Sequence, residues 1–465
     1  MKPSQLILIG FGAVCKAMMT AMCVTNPNLA FHLPILIIDP KTLNKSEIYK
    51  KLRRNNDKVS HLQVKITENN YHDIFKNYIH KNAIVVDLAW RVDTACLIQE
   101  CQNKHCLYIN TAIDNWSHNK TPLFVVKQEI LNNIKYPKTK MTAIINFGIN
   151  PGTISIITKK LLELVAKKSN DKDALALVEE NKYNLLAQHL GLTLIQIAER
   201  DNQVSKHTSD ENRLVNTWSI IGFIDEAFIN SAVSWGTHEK LLPIMADLSP
   251  LKTVGQLVLP VMGYQTRTKS YEPKGGVFTG YGITHAECYS LVDLLTVGDP
   301  SRPIYRPSVY YSYLIPDTAK LLCHYGEYSL DTHFTPKAEH VLRSDEIENG
   351  YDSVGCLAFF RQGSGSQLKK YWMGTILSNT TVRQLSPEIN ATCLQVGISA
   401  LAAIEWMLMN PHRGIIEPEV VDTDFIIEYT HEWLGEFYFE EVTDKCPIDT
   451  DQYSDLVSCP ANLFK

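Results

Sequence analysis

The sequence predicts an α/β protein in which a doubly wound parallel sheet is joined to a larger α+β part. Three observations carry this. Short apolar runs separated by longer polar or amphipathic stretches fill the first 150 residues, whereas alternating patterns rich in Tyr, Thr and Pro dominate from about Leu192 to Ser378. At 465 residues the chain also exceeds what one hydrophobic core usually holds, so at least two domains are expected.

In chain order, the runs Leu6 to Ile9, Ile35 to Ile38, Ala83 to Val86, Leu107 to Ile109 and Ala143 to Ile145 read as buried parallel strands. Continuous apolarity, without alternation, is what strands covered by helices on both faces require. The stretch Ala166 to Tyr183 is charged and helix-prone, and is expected to be a solvated helix or connector between the two domains. Beyond it, Leu192 to Ile197, Thr217 to Phe223 and Val277 to Thr284 alternate and predict strands of a mixed or antiparallel sheet. The run Asn390 to Asn410 predicts a long apolar helix rich in Ala, stopped by Pro411 and Gly414 and expected to return to the first domain. The tail after Thr443, with Pro447 and Pro460, reads as irregular. The expected division is therefore 1–150 for the doubly wound domain, 151–385 for the α+β domain, and 386–465 for a C-terminal helix and tail packed on the first.

Composition narrows the function classes. A formal net charge of -5 offers no basic footprint for nucleic acid or an anionic membrane surface, and mildly favours a cationic small molecule. Lys16 interrupts the apolar N-terminal stretch, and no run of about eighteen uninterrupted apolar residues occurs, so neither a signal peptide nor a membrane span is expected. The eleven cysteines include no Cys-x-x-Cys pair, which fits reduced thiols in the cytosol. Cys96, Cys101 and Cys106 share a five-residue spacing that does not place them on one helical face, so buried thiols are expected there and no metal site.

Directly after the first strand stands Gly10-Phe11-Gly12-Ala13-Val14-Cys15, a dinucleotide fingerprint with cysteine in place of its last glycine. Gly10 permits the tight turn, Gly12 lets the backbone approach a pyrophosphate, and the following helix offers free N–H groups at its positive end. Asp39 closes the second strand, where a carboxylate accepts from ribose hydroxyls and repels a 2'-phosphate, so NAD is expected over NADP. Leu88 and Thr111, just past later strands, are further cofactor candidates, and Asn110 and Asn146 stand at the same sheet edge. Together these predict an NAD-binding Rossmann domain over the first 150 residues.

Further along come Ile197-Ala198-Glu199-Arg200-Asp201, Asn216-Thr217-Trp218-Ser219, Trp235-Gly236-Thr237-His238-Glu239, Thr284-His285 and Asn390-Ala391-Thr392. In order and spacing these motifs resemble the homospermidine synthases, within the saccharopine dehydrogenase-like group, over almost the entire chain. The resemblance implies a cytoplasmic, homodimeric transferase of polyamine biosynthesis. In it, NAD takes a hydride from putrescine, the imine exchanges with a second putrescine, ammonia leaves, and the hydride returns to give homospermidine. It also implies that Glu199, Trp218, Glu226 and His285 form the substrate pocket and that Asn150 and Pro151, in Asn150-Pro151-Gly152, lie by the nicotinamide. Where the family carries a Glu-Pro pair this chain has Asp114-Asn115, a carboxylate one methylene shorter.

The residue types suit that chemistry. Putrescine is a dication at neutral pH, because alkyl amines titrate at about 10, and Glu199, Glu226 and Asp114 can accept charge-assisted hydrogen bonds from its ends. His285 can act as base and acid, and Glu287, two residues along a predicted strand, would share its face and orient it. Trp218 offers a flat π face to an iminium cation. The Trp235 to Glu239 motif is read as structural. The alternative is an NAD(P)-dependent dehydrogenase of the saccharopine or carboxynorspermidine type, whose carboxylate substrates call for arginines, whereas Arg200 is the only cation beside these motifs. A noncatalytic NAD-binding sensor is the other reading weighed.

Overall fold

Five of the predicted strands form, with two more, a seven-stranded parallel sheet. In the computed structural model, which describes residues 1–116, 125, 127, 130, 140–206, 214–250, 255–320, 322–323, 339–361, 367–443 and 446–459, they are β1 (Leu6–Ile9), β2 (Ile35–Ile38), β3 (Val59–Leu62), β4 (Ile84–Asp87), β5 (Leu107–Asn110) and β6 (Ala143–Ile144), with the short strand Ile415–Ile416 at one edge. The order across the sheet runs from Ile415–Ile416 through β6, β5, β4, β1 and β2 to β3, and every neighbouring pair is parallel. The direction of strand succession therefore reverses beside β1, the place where open α/β sheets bind ligands at their carboxyl ends. β3 reads Val-Ser-His-Leu because an edge strand needs only partial cover, and its burial is correspondingly partial. That is why continuous apolarity did not predict it.

The chain divides into two compact units. The first comprises Met1–Thr153, Val341–Glu348 and Asn379–Leu434, and the second Ile154–His340, Asn349–Ser378 and Gly435–Lys465. The expected third segment, 386–465, is thus split at Gly435. Its helix belongs to the first unit, but Glu436–Glu441 pairs antiparallel with Lys369–Ser378 and goes with the second. A strand's unpaired N–H and C=O groups are satisfied by the sheet edge it joins, and that need places the tail. Pro460 lies outside the described residues.

Within the first unit the helix Ala391–Met409, capped by the Asn390 side chain on the Cys393 N–H at 2.9 Å, packs on the helix Ala13–Thr25. Gly397 makes the close approach possible: a Cβ there would stand 2.6 Å from the Met18 nitrogen. Ala391–Met409 is long and apolar enough to cross a bilayer by length and composition, and most of it is buried.

The second unit is built on a ten-stranded mixed sheet. From one edge it runs Glu436–Glu441, Lys369–Ser378, Tyr351–Phe360, Leu192–Asp201, Ser308–Leu314, Gly276–Tyr281, Arg267–Glu272 and Val457–Ser458, with Asn230–Ser234 and Gln256–Met262 branching off Ser308–Leu314. Leu192–Asp201 and Ser308–Leu314 are parallel, and the remaining pairs are antiparallel. Two expectations are corrected here. Thr217 to Phe223 is not a strand: Ser219 accepts from the Gly222 N–H at 3.1 Å and caps the helix Ile220–Ala227, whose Ile220, Phe223 and Ala227 are buried at helical spacing. Ala166 to Tyr183 is not one connector but spans the end of Thr153–Ser169, all of Lys172–Glu179 and the start of Tyr183–Leu190. The chain is restarted by Asp171, which accepts from the Asp173 and Ala174 N–H groups.

Candidate active site

In the first unit the glycine turn after β1 has the backbone its sequence demands. Gly10 has φ +83°, and a Cβ there would meet the Leu88 carbonyl oxygen at 3.0 Å, so the left-handed conformation and the close approach both require glycine. Gly12 is exposed, and a Cβ there would meet nothing within 4 Å. Among the described residues no side chain caps the helix Ala13–Thr25 that Gly12 opens. Phe11, Ala13 and Val14 complete the turn, and Cys15 is fully buried beneath it. Asp39 accepts from the Phe11 N–H and from the Lys41 N–H, each at 2.7 Å, so its carboxylate braces the turn against the end of β2. Both oxygens keep lone pairs for a ribose.

The loops that leave β4, β5 and β6 are stitched together by buried polar side chains. Tyr108 donates to Asp87 Oδ2 at 2.9 Å, and Asn110 Nδ2 donates to Thr94 at 3.1 Å. Asn110 Oδ1 receives the Asn146 N–H and Asn146 Oδ1 the Ile113 N–H, each at 2.9 Å. Burial, reinforced by the charge of Asp114, raises Asp87 to about 7 against the opposing Tyr108 hydroxyl and Ala89 N–H. Leu88 follows Asp87 and hydrogen bonds to the Ile9 carbonyl at 2.9 Å, and Thr111 lies beside Gly148. Asp114 accepts from the Arg91 N–H, and from the Asn115 N–H at 2.8 Å, so its carboxylate serves the loops of this unit. Asn150 and Pro151, joined by a cis peptide bond, form the turn after β6, in which Thr153 N–H reaches the Gly148 carbonyl at 2.9 Å. Asn146 Nδ2 is buried and has no hydrogen-bond partner among the described residues. The open space at Gly12, the uncapped helix and this orphaned amide fit a dinucleotide laid along the sheet's carboxyl edge.

In the second unit four of the predicted substrate residues come together. Glu199 points from the strand Leu192–Asp201, Glu226 from the helix Ile220–Ala227, Trp218 from the turn before that helix, and His285 from the loop before Glu287–Leu295. Glu199 and His285 are each 4% exposed. The expected His285–Glu287 pair is present, but its geometry differs from the sequence reading. Glu287 opens a helix, so its carboxylate sits at the positive end of the helix dipole while it binds His285 Nδ1. His285 Nε2 is left without a hydrogen-bond partner among the described residues.

Burial alone would depress the His285 imidazolium. Glu287, through its charge and hydrogen bond, followed by Glu226 and Glu199, outweighs it and pushes the pKa up to about 9. Burial also raises Glu226, with the Glu199, Glu287 and Asp225 charges adding and His285 opposing, and pushes it up to about 7. Glu226 retains some exposed surface, and its carboxylate makes no hydrogen bond among the described residues. Trp218 donates from Nε1 to the Tyr313 hydroxyl at 2.9 Å and meets Phe223 edge-on at 6.1 Å. Arg200 is drawn to Glu272 at 3.4 Å.

The remaining motifs are structural. His238 Nε2 bonds to the Asp451 carbonyl at 2.9 Å, and Glu239 accepts from Ser308 at 2.6 Å and from the Tyr453 N–H at 3.1 Å, anchoring the tail. Among the described residues no group of His, Cys, Asp or Glu is placed to hold a metal ion. Sequence reasoning missed Asp87 and the tyrosines 108, 311 and 313. Asp87 was signalled by a carboxylate closing an otherwise apolar strand, whereas the tyrosines carried no signal distinct from core aromatics.

Residues 6–144 match the family model of the saccharopine dehydrogenase NADP binding domain, and 148–437 that of the saccharopine dehydrogenase C-terminal domain. The chain is 27% identical over 469 residues to the homospermidine synthase of Mesorhizobium japonicum, covering 95% of this chain and 91% of that one. It is likewise 27% identical over 447 residues to that of Blastochloris viridis, covering 92% and 89%. The crystal structure of a Legionella pneumophila homospermidine synthase in complex with NAD superposes with a TM-score of 0.84 at 28% identity, covering 99% of each chain.

Proposed function

Because this chain belongs to the saccharopine dehydrogenase family, we propose that it catalyses the homospermidine synthase reaction, aminobutyl transfer between two putrescine molecules through an internal hydride cycle. The cofactor is NAD, as in the Legionella relative. When bound, it accepts a hydride from the amine-bearing carbon of one diamine and later gives it back, so no net oxidant is consumed. In between, a second putrescine adds to the imine carbon, the original nitrogen leaves as ammonia, and the new imine is reduced to homospermidine.

One observation carries the reading: Glu226, a crowded carboxylate, has no hydrogen-bond partner among the described residues, beside an imidazole whose outer nitrogen is equally unengaged. A carboxylate left in that state costs stability unless a cation completes it, and an alkylammonium does so with a charge-assisted hydrogen bond. The same ammonium opposes the His285 imidazolium and favours release of its proton. Neutral Nε2 then takes a proton from the amine, whose freed lone pair drives the hydride out. As ammonia departs, His285 returns that proton. Trp218, tethered by its indole N–H, presents a π face to the iminium. Glu199 accepts from the diamine. An anionic substrate would meet three carboxylates, and the nearby guanidinium, Arg200, is already drawn to Glu272. The reading extends to a homodimer in the cytoplasm, checked by sedimentation and cell fractionation.

The test supplies putrescine and NAD and follows homospermidine by mass spectrometry. Product without accumulated NADH is expected, and stoichiometric NADH would favour a dehydrogenase. Glu226→Gln should abolish most turnover while NAD still binds; unchanged turnover removes the catalytic assignment.

A further inference from the structure

Tyr311 has no part in the scheme above, yet it links two of its members. It lies on the strand Ser308–Leu314, which runs parallel to Leu192–Asp201 with Tyr311 opposite Ile197 and Tyr313 opposite Glu199. Its hydroxyl donates to Glu199 Oε2, and its ring lies on the His285 imidazole with centroids 4.6 Å apart and planes 24° apart. Burial and the Glu199 charge hold its own ionisation well above the ordinary range, so it stays a donor at any working pH.

We propose that Tyr311 is a positioning residue that fixes the Glu199 carboxylate and the His285 ring relative to one another, so that one acceptor oxygen and Nε2 address the same amine. The assignment rests on the diamine reading. A tyrosine 3% exposed in a sheet is most often packing alone. What distinguishes this one is that two of its contacts are of different kinds and reach different elements: a hydrogen bond to a strand carboxylate, and a stack on a loop imidazole. Geometry held by a hydrogen bond and a stack together has fewer rotamers to lose when substrate binds. The charged groups around His285 are Glu287 from its own helix, Glu226 from Ile220–Ala227 and Glu199 from Leu192–Asp201. Tyr311 acts on the last of these.

Tyr311→Phe keeps the volume and the stack and removes only the donor. In the NAD-loaded enzyme without diamine, nitrogen NMR of the His285 ring should then show a titration midpoint below the parent's, because a Glu199 carboxylate no longer held toward the imidazole supports its charge less. With diamine, kcat/KM should fall about 10- to 100-fold, as for loss of a hydrogen bond to a charged group, with Tm near the parent's. Tyr311→Leu, which also loses the stack, should fall further. An unchanged or raised His285 midpoint in Tyr311→Phe, with any loss confined to Tm, would mean that Tyr311 only packs. The titration needs no turnover, so if the parent makes no homospermidine the reaction reading fails while the Tyr311 comparison still decides.

Discussion

Replacing Glu287 by Gln keeps the shape of the helix start but removes the largest support of the His285 charge. The imidazolium is raised from the ordinary 6.5 to about 9 against a burial that works the other way. That difference corresponds to about 3 kcal/mol favouring the charged ring. At pH 7.4 a group titrating at 9 is neutral in roughly one molecule in forty, so the base form is scarce until diamine arrives. In Glu287→Gln the opposing burial meets only Glu226 and Glu199, and the midpoint should drop toward or below 6.5. The measurements are ring-nitrogen NMR titration and kcat/KM against pH. In the parent, kcat/KM should climb from about pH 7, where Glu226 ionises, toward 9, where His285 becomes neutral. In the variant the rise set by His285 should move to the acid side, and the maximum rate should fall because a less basic imidazole is a weaker proton acceptor. Stability follows the same proton. The native state holds it where the unfolded chain has lost it, so this contribution is full below pH 6.5 and lost as pH rises through about 9. Glu226 acts in the same sense at lower pH, between 4.5 and about 7. Denaturant unfolding of Glu287→Gln should therefore show a flatter fall between pH 6.5 and 9. A limb that stays near 9 in the variant would refute the assignment of that titration to His285.

Two further results are expected. Gly10→Ala should destabilise the first unit by about 1–2 kcal/mol, since it forces φ +83° and a contact with Leu88, whereas Gly12→Ala, whose Cβ meets nothing, should leave Tm within a degree or two and weaken NAD binding. Thermal melts and NAD titrations separate the two, and equal effects on both readouts would contradict the open cradle at Gly12. Trp218→Phe, which loses the Tyr313 hydrogen bond but keeps a π face, should retain more kcat/KM than Trp218→Leu by a factor of about 2–30, and equal losses would remove the cation–π role.

Much of the fold was legible because strands buried on both faces must be apolar throughout. That rule found β1, β2, β4, β5 and β6, and it failed at β3, an edge strand exempt from it. The turn Gly10 to Val14 was readable because a left-handed glycine touching backbone, directly after an apolar strand, leaves few substitutes. Asp39 was placed correctly at the end of β2, but its tie to Phe11 could not be read from spacing. Likewise the resemblance named Glu199, Trp218, Glu226 and His285, but nothing in the order of the motifs says that Glu226 would stand on a helix or that Glu287 would open one.

The sequence by itself determined the doubly wound sheet and the nucleotide turn, because backbone sterics and burial constrain those locally, while the acidic and aromatic pocket residues were named by the resemblance to a family. Only the tertiary structure decided that Glu199, Glu226 and Glu287 surround one imidazole, and that Tyr311 touches both Glu199 and that ring. It also decided that Asp114 serves backbone N–H groups in the first unit, and that the C-terminal segment divides again at Gly435. Each of these depends on which distant segments hydrogen bond. The charge state of His285 follows from that neighbourhood, since three carboxylates brought from separate elements outweigh the cost of burying the ring.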